Sequence, residues 1–229
     1  MRLYKNAFQT QQAPVGVIAI TEMDTQLGLQ RLASQQLTGL GFCIAQGQQA
    51  MSHVQTKSEG QLTQQVLNAL ARLQYYKIQS CIIYCNTLSS AIDLKKIRKT
   101  YAHPIVTPLD VYAKVANAHQ KVAILGSNCQ ITAQIEKTLL QRNPKLQVIG
   151  VGYQHMVQDL LQQKPTADII STHQLVALCE HFVKLEATLL ISACTHFEKM
   201  IAELEPLIPK LKILQPEQEL MRLSLQKPV

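Results

Sequence analysis

The sequence has no tryptophan and few other aromatic residues, with 7 Tyr and 4 Phe among 229 residues. A groove that stacks nucleobases needs such rings, so their scarcity argues against a nucleic-acid platform. Apolar runs of roughly 18 residues are also missing, which leaves nothing to span a bilayer. Met1-Arg2-Leu3-Tyr4-Lys5 leads into Gln9, Thr10, Gln11 and Gln12 without the apolar stretch of a secretory signal. The expected location is therefore the cytoplasm. Charged residues are sparse at 16%, yet apolar residues reach 47%, a balance that excludes a disordered chain. The length fits one large domain or two small lobes.

Lys and Arg outnumber Asp and Glu by 22 to 15, for a net charge of +7. Such a field attracts acidic metabolites or phosphates. The basic residues are dispersed except at Lys95, Lys96, Arg98 and Lys99, where a solvated helix face is the simplest account. No CxxC pair exists among the six cysteines, Cys43, Cys81, Cys85, Cys129, Cys179 and Cys194. Cys81 and Cys85 lack a matching second pair or a His cluster, so no metal site is expected. Free thiols are expected throughout, some of them ordinary small core residues.

Short apolar runs alternate with amphipathic stretches. Strands are predicted at Val15–Ile20, Gly41–Ile44, Ser80–Tyr84, Ile105–Val106, Lys121–Leu125, Leu146–Ile149, Ala187–Ile191 and Lys212–Leu214. Helical spacing marks Leu27 to Leu37, Ser58–Gln74, Ser89–Lys99, Asp110–Ala118, Ile131–Arg142, Gln154–Gln163, Thr172–Val183 and Glu217–Leu223. Pro206 and Pro209 limit any helix over Ile201–Leu211. This alternation predicts an α/β fold with mainly parallel sheets flanked by helices. Ligands of such sheets sit beyond the carboxyl ends of the strands.

Two strand ends stand out there. Tyr84 is followed by Cys85-Asn86-Thr87, and Ile191 by Ser192-Ala193-Cys194-Thr195-His196. Each thiol falls where a strand gives way to a helix, a place that favours thiolate and binds anions. Their separation is close to half the chain, which suggests two similar lobes with one Cys each. Two buried core cysteines are the plain alternative, but Asn-Thr and Thr-His are poor core sequences.

Ile83-Tyr84-Cys85-Asn86-Thr87-Leu88-Ser89-Ser90-Ala91 resembles the first catalytic motif of the aspartate/glutamate racemase superfamily. Leu189-Leu190-Ile191-Ser192-Ala193-Cys194-Thr195-His196-Phe197 resembles the second. Both look closest to glutamate racemase, whose motifs read roughly ACNTASA and LGCTHYP. Weaker matches run through Leu94–Arg98, Pro104–Val106 and Val122–Ser127, with Asp24-Thr25 where the family has Asp-Ser.

The resemblance implies two α/β lobes, residues 1–107 with 210–229 and residues 108–209, and an active site in the cleft between them. It implies a racemase that inverts glutamate at Cα with one thiol on each face, without pyridoxal phosphate, metal or other cofactor. Asp24 would assist Cys85 and His196 would assist Cys194. Thr25, Asn86, Thr87, Ser127, Asn128 and Thr195 would hold a small acidic amino acid. Homodimers are common in this family, and glutamate racemisation would supply D-glutamate for peptidoglycan. Local readings stand beside these roles. Asp24 caps a helix starting near Gln26, Thr87 caps the helix after Cys85, and Ser127 and Asn128 are turn residues.

Some positions depart from the family. Met23-Asp24-Thr25-Gln26-Leu27-Gly28 replaces a glycine-rich Asp-Ser-Gly turn, and His53-Val54-Gln55 stands where the family has Pro-Tyr-Gly. Gln158 replaces an acidic residue that supports the histidine. The chain is nearer aspartate racemases in length, without their Gly-Gly-Met-Gly start. Aspartate, hydantoin or another 2-substituted acid as substrate is an alternative, as is a non-catalytic binding protein on this scaffold.

Overall fold

The computed structural model describes residues 2–8, 12–45 and 56–225, so His53-Val54-Gln55 lies outside the described residues. The chain divides into two compact units, Met1–Pro108 with Glu217–Val229, and Leu109–Pro216.

The first unit runs β1 (Leu3–Lys5), β2 (Val15–Ala19), α1 (Glu22–Ser34), β3 (Gly39–Cys43), α2 (Glu59–Gln74), β4 (Ser80–Ile83), α3 (Asn86–Ser90), α4 (Leu94–Thr100) and β5 (Ile105–Val106). Its sheet has the order β1-β3-β2-β4-β5. Strand β1 is antiparallel to β3, and the other pairings are parallel. Strands β2, β3 and β4 are buried along their whole length, which is why they read as continuous apolar runs rather than alternating ones. Leu62, Val66, Ala69, Leu70 and Leu73 place the apolar stripe of α2 in the core. Each Leu or Val among them contributes about 1.5–3 kcal/mol by leaving water. A reciprocal box starts that helix: Gln61 N–H donates to Ser58 Oγ at 3.3 Å, and Ser58 N–H donates to Gln61 Oε1 at 3.0 Å.

The second unit runs α5 (Pro108–Val115, its first residue in the first unit), β6 (Lys121–Gly126), α6 (Cys129–Arg142), β7 (Gln147–Gly152), α7 (Gln154–Leu161), α8 (Thr166–Thr172), α9 (Leu175–Lys184), β8 (Leu189–Ala193), α10 (Glu198–Leu204) and β9 (Lys212–Leu214). Helix α11 (Glu217–Ser224) then belongs to the first unit. The second sheet has the order β7-β6-β8-β9 and is parallel throughout.

That order repeats the first unit's β3-β2-β4-β5. Strands β2 and β6 are topological counterparts, and so are β4 and β8. In each unit the chain goes to one side of the central strand and then crosses to the other. The switch points lie between β2 and β4, and between β6 and β8, where open α/β sheets bind ligands.

Several elements differ from their sequence expectations. Residues 210–216, expected with the first lobe, belong to the second unit because β9 pairs in parallel with β8 from Leu189↔Lys212 to Ile191↔Leu214. The helix expected over 89–99 is two helices. Asp93 interrupts it, with its N–H on Thr63 Oγ1 at 2.9 Å and its Oδ1 accepting from Lys96 N–H at 2.9 Å. Its basic residues Lys95, Lys96 and Lys99 are exposed, while Arg98 donates to the Ile105 carbonyl at 3.0 Å. The helix expected over 172–183 is split at Gln174, whose φ of 49° is left-handed. Strand β1 had no signal in a three-residue segment with only Tyr4 buried.

Gly152 closes β7 against the turn that starts α6. A Cβ there would run into the backbone of Asn128 and Cys129. Backbone yields less readily than a side-chain tip, so Gly152→Ala is expected to cost about 2–3 kcal/mol. Urea unfolding at neutral pH measures it, and a loss below about 0.5 kcal/mol would show that the turn relaxes freely.

Candidate functional site

Cys85 is the first residue beyond β4, continuing the strand with φ −165° and ψ 123°. Tyr84 N–H donates to the Ile18 carbonyl at 2.8 Å, which keeps the ladder intact up to the thiol. Cys85 occupies the N-cap position of α3 and makes no side-chain capping bond. The cap expected at Thr87 therefore falls two residues earlier, and Thr87 lies in the first turn. Ser89 Oγ donates to the Cys85 carbonyl at 2.7 Å and Ser90 Oγ to the Asn86 carbonyl at 2.8 Å, which holds this short helix. Asn86 and Thr87 are buried beside the thiol.

The thiol is 5% exposed. Burial, and then the charge of Asp24, push its pKa up to about 12, against the opposing pull of the Leu88, Thr87 and Ile20 backbone N–H groups. The expectation that a helix start lowers it is thus outweighed, because desolvation disfavours the charged form more than three donors favour it. A thiol held this way is a weak acid, and its thiolate is a strong base.

Asp24 lies in the first turn of α1 rather than at its cap. The N-cap is Thr21, whose Oγ1 accepts from Asp24 N–H at 3.1 Å and donates to Asp24 Oδ2 at 2.8 Å. The Thr21-Glu22-Met23-Asp24 spacing was the signal for this reciprocal pair. Thr21 orients the carboxylate that acts on Cys85. Thr21→Ala is expected to cost about 1 kcal/mol in urea unfolding, as loss of an N-cap does. An unchanged midpoint would show that the cap contributes nothing. Thr25 is fully buried, and its Oγ1 donates to the Thr21 carbonyl at 2.8 Å.

In the second unit, Cys194 is the first residue beyond β8, again extended, with φ −153° and ψ 128°. It opens a short 3-10 turn over Thr195–Phe197 and is 8% exposed. Its Sγ lies 3.6 Å from His196 Nδ1, within reach of a sulfur hydrogen bond. Thr195 is buried beside it, and His196 is half-buried.

Gly126 of β6 pairs with Ala193 of β8, so Ser127 and Cys194 follow at adjacent strand ends. Ser127 Oγ is buried without a hydrogen-bond partner in the structure, in a residue 5% exposed. A hydroxyl so placed is costly unless something else satisfies it. Asn128 instead caps α6, its Oδ1 accepting from Ile131 N–H at 3.0 Å. Among the described residues, no group of three or more His, Cys, Asp or Glu is arranged to hold a metal, and no helix is long and apolar enough to cross a membrane.

No family model matches the chain. Glutamate racemase from Haemophilus ducreyi is 27% identical over 143 residues, 60% of this chain and 52% of that protein. The matched stretch spans little more than half the length of the curated relatives. Glutamate racemase from Francisella tularensis, solved in complex with D-glutamate, aligns with a TM-score of 0.66 at 16% identity over 92% of this chain and 79% of that one. An aspartate racemase homologue from Pyrococcus horikoshii aligns with a TM-score of 0.72 at 16% identity over 94% of this chain and all of that one. The chain resembles the aspartate/glutamate racemases in sequence and in fold.

Beside the racemase motifs, the departures now have a structural form. Thr25, at the family's Asp-Ser position, directs its hydroxyl proton into its own helix. Gln158, expected in place of a supporting carboxylate, is exposed on α7. The adjacent Asp159 is committed to His173 Nε2 at 2.8 Å and Lys164 Nζ at 2.6 Å. The racemase motifs also pointed to neither Thr21 nor the buried Glu217.

Proposed function

We propose that the protein is a cofactor-independent amino acid racemase, with glutamate as its substrate. The observation that carries this reading is the repeated strand-end cysteine. Each of two topologically equivalent strands ends in a buried cysteine with its own acid–base neighbour, Asp24 acting on Cys85 and His196 at 3.6 Å from Cys194.

In the reaction, one cysteine as thiolate takes the Cα proton and becomes a thiol. The other, as thiol, delivers a proton to the opposite face and becomes a thiolate. The C–H bond broken on one face is replaced by one formed on the other, and nothing is oxidised or reduced. The reading requires Cys85 and Cys194 to address the two faces of one Cα. The negative charge of Asp24 strengthens the Cys85 thiolate as a base for a weakly acidic C–H. Asn86, Thr87, Ser127 and Thr195 would hold the substrate carboxylates and amine. Donors fixed in place before reaction stabilise the carbanion-like state best, and the unpartnered Ser127 hydroxyl suits that task. The product D-glutamate is of the kind used in cell-wall peptidoglycan.

Wild-type enzyme incubated with L-glutamate in D2O should yield D-glutamate with deuterium at Cα, read by NMR and circular dichroism. Absence of both inversion and Cα exchange across glutamate, aspartate and the other amino acids would remove the reading. A related substrate, such as aspartate or a hydantoin, is a second reading. It is favoured by the commitment of the Thr25 hydroxyl to α1, which alters an expected substrate contact.

A further inference from the structure

Glu217 is a buried carboxyl that the proposed chemistry does not use. It opens α11, the segment that completes the first unit from the far end of the chain. The residue is 5% exposed, and its Oε2 has no hydrogen-bond partner in the structure. An apolar residue would fill this place at lower cost. Two groups couple to it, and a third acts on one of these. The Arg31 guanidinium approaches from α1 and draws Glu217 toward its charged form. Tyr84, 1% exposed at the end of β4, feels the Glu217 charge, while its hydroxyl hydrogen-bonds Arg31. Asp24 lies on the same face of α1 and also acts on Tyr84. Strand β5 offers only Ile105 and Val106, neither of which titrates. On α11 itself, Glu219 and Arg222 are paired with each other.

The Tyr84 ring fits there because α1 has Gly28 beneath it. A Cβ on Gly28 would stand 3.1 Å from Tyr84 Cγ and 2.8 Å from Val17 Cγ1. The ring therefore lies close against the α1 backbone, within the electrostatic reach of both Arg31 and Glu217. Tyr84 is peptide-bonded to Cys85, so a displacement of the Tyr84 backbone moves the turn that carries the thiol.

We propose that Glu217 is a positioning residue for Cys85, acting through Arg31 and Tyr84 to set the strand-to-helix turn on which the thiol stands. This rests on the reading of Cys85 as a reacting group. It makes the thiol's placement depend on α11 and on whether Glu217 carries charge. Burial raises the Glu217 carboxyl to about 7, so that charge changes near neutrality.

The test is the rate of Cys85 alkylation by iodoacetamide, followed by mass spectrometry of the Cys85 peptide from pH 6 to 8. It reads the thiol directly, so its failure is separable from a failure of the racemase reading. The exposed Cys129 serves as an internal reference. In wild type the Cys85 rate should show an inflection near pH 7 beyond the steady rise from thiol ionisation. Glu217→Gln should remove the inflection and match wild type at pH 6, where both are neutral. Glu217→Ala should change the Cys85 rate by about tenfold at every pH, the effect of roughly 1.4 kcal/mol, with Cys129 unchanged. Identical Cys85 profiles in wild type and Glu217→Gln would overturn the proposal, even if the alanine variant were less stable. If Glu217→Ala fails to fold, the presence or loss of the inflection in Glu217→Gln decides alone.

Discussion

Cys85→Ala and Cys194→Ala should each lower the rate of glutamate inversion by at least about 10³-fold, within the range a positioned general acid or base supplies. Inversion needs a proton removed from one face and one delivered to the other, so neither thiol substitutes for its partner. The two losses should not add, because either deletion alone breaks the proton path. Exchange without inversion distinguishes them further. In D2O, each variant keeps only the thiol that faces one enantiomer, and the two variants should exchange opposite enantiomers. A single-cysteine variant that still inverts glutamate at more than a tenth of the wild-type rate would remove the two-thiol mechanism.

The second large effect concerns stability and pH. The Glu217 carboxyl is raised from an ordinary value of 4.5 to about 7, chiefly by burial, with Arg31 opposing. For an acid shifted upward, the folded state holds its proton where the unfolded chain has released it. The contribution is complete below pH 4.5, declines as pH rises toward 7, and is lost above that. The full swing is about 3 kcal/mol, from roughly 1.4 kcal/mol per unit. Glu217→Gln has no proton to release. Its stability relative to wild type should therefore rise by about 3 kcal/mol between pH 4.5 and pH 8 in urea unfolding. Any constant cost of burying the amide cancels in that comparison. A difference that stays flat with pH would show that Glu217 ionises alike in the folded and unfolded chains.

The same residue shows where the sequence is silent. The parallel strands were legible because burial on both faces makes them continuous apolar runs, and β2, β4 and β8 lie within two residues of expectation. The strand-end thiols were legible because polar residues directly follow them. Glu217 left no trace, since its burial depends on a helix packing against a strand far away in sequence. The helix break at Asp93 was missed because an Asp side chain competes with the backbone ladder without changing the apolar period. Asp24 was expected at a cap because the apolar spacing begins at Leu27. The true start is five residues earlier at Glu22, where the first turn carries no buried apolar stripe, its Met23 being exposed.

The return of α11 to the first unit bears on how the polypeptide matures. The second unit is one uninterrupted stretch, Leu109–Pro216, whereas the first gains its last helix only from Glu217 onward. As a ribosome releases the chain, the later half can close on itself while the earlier half still lacks a cover over Tyr84. The first unit then gains that cover only once Glu217 and the residues of α11 have been added.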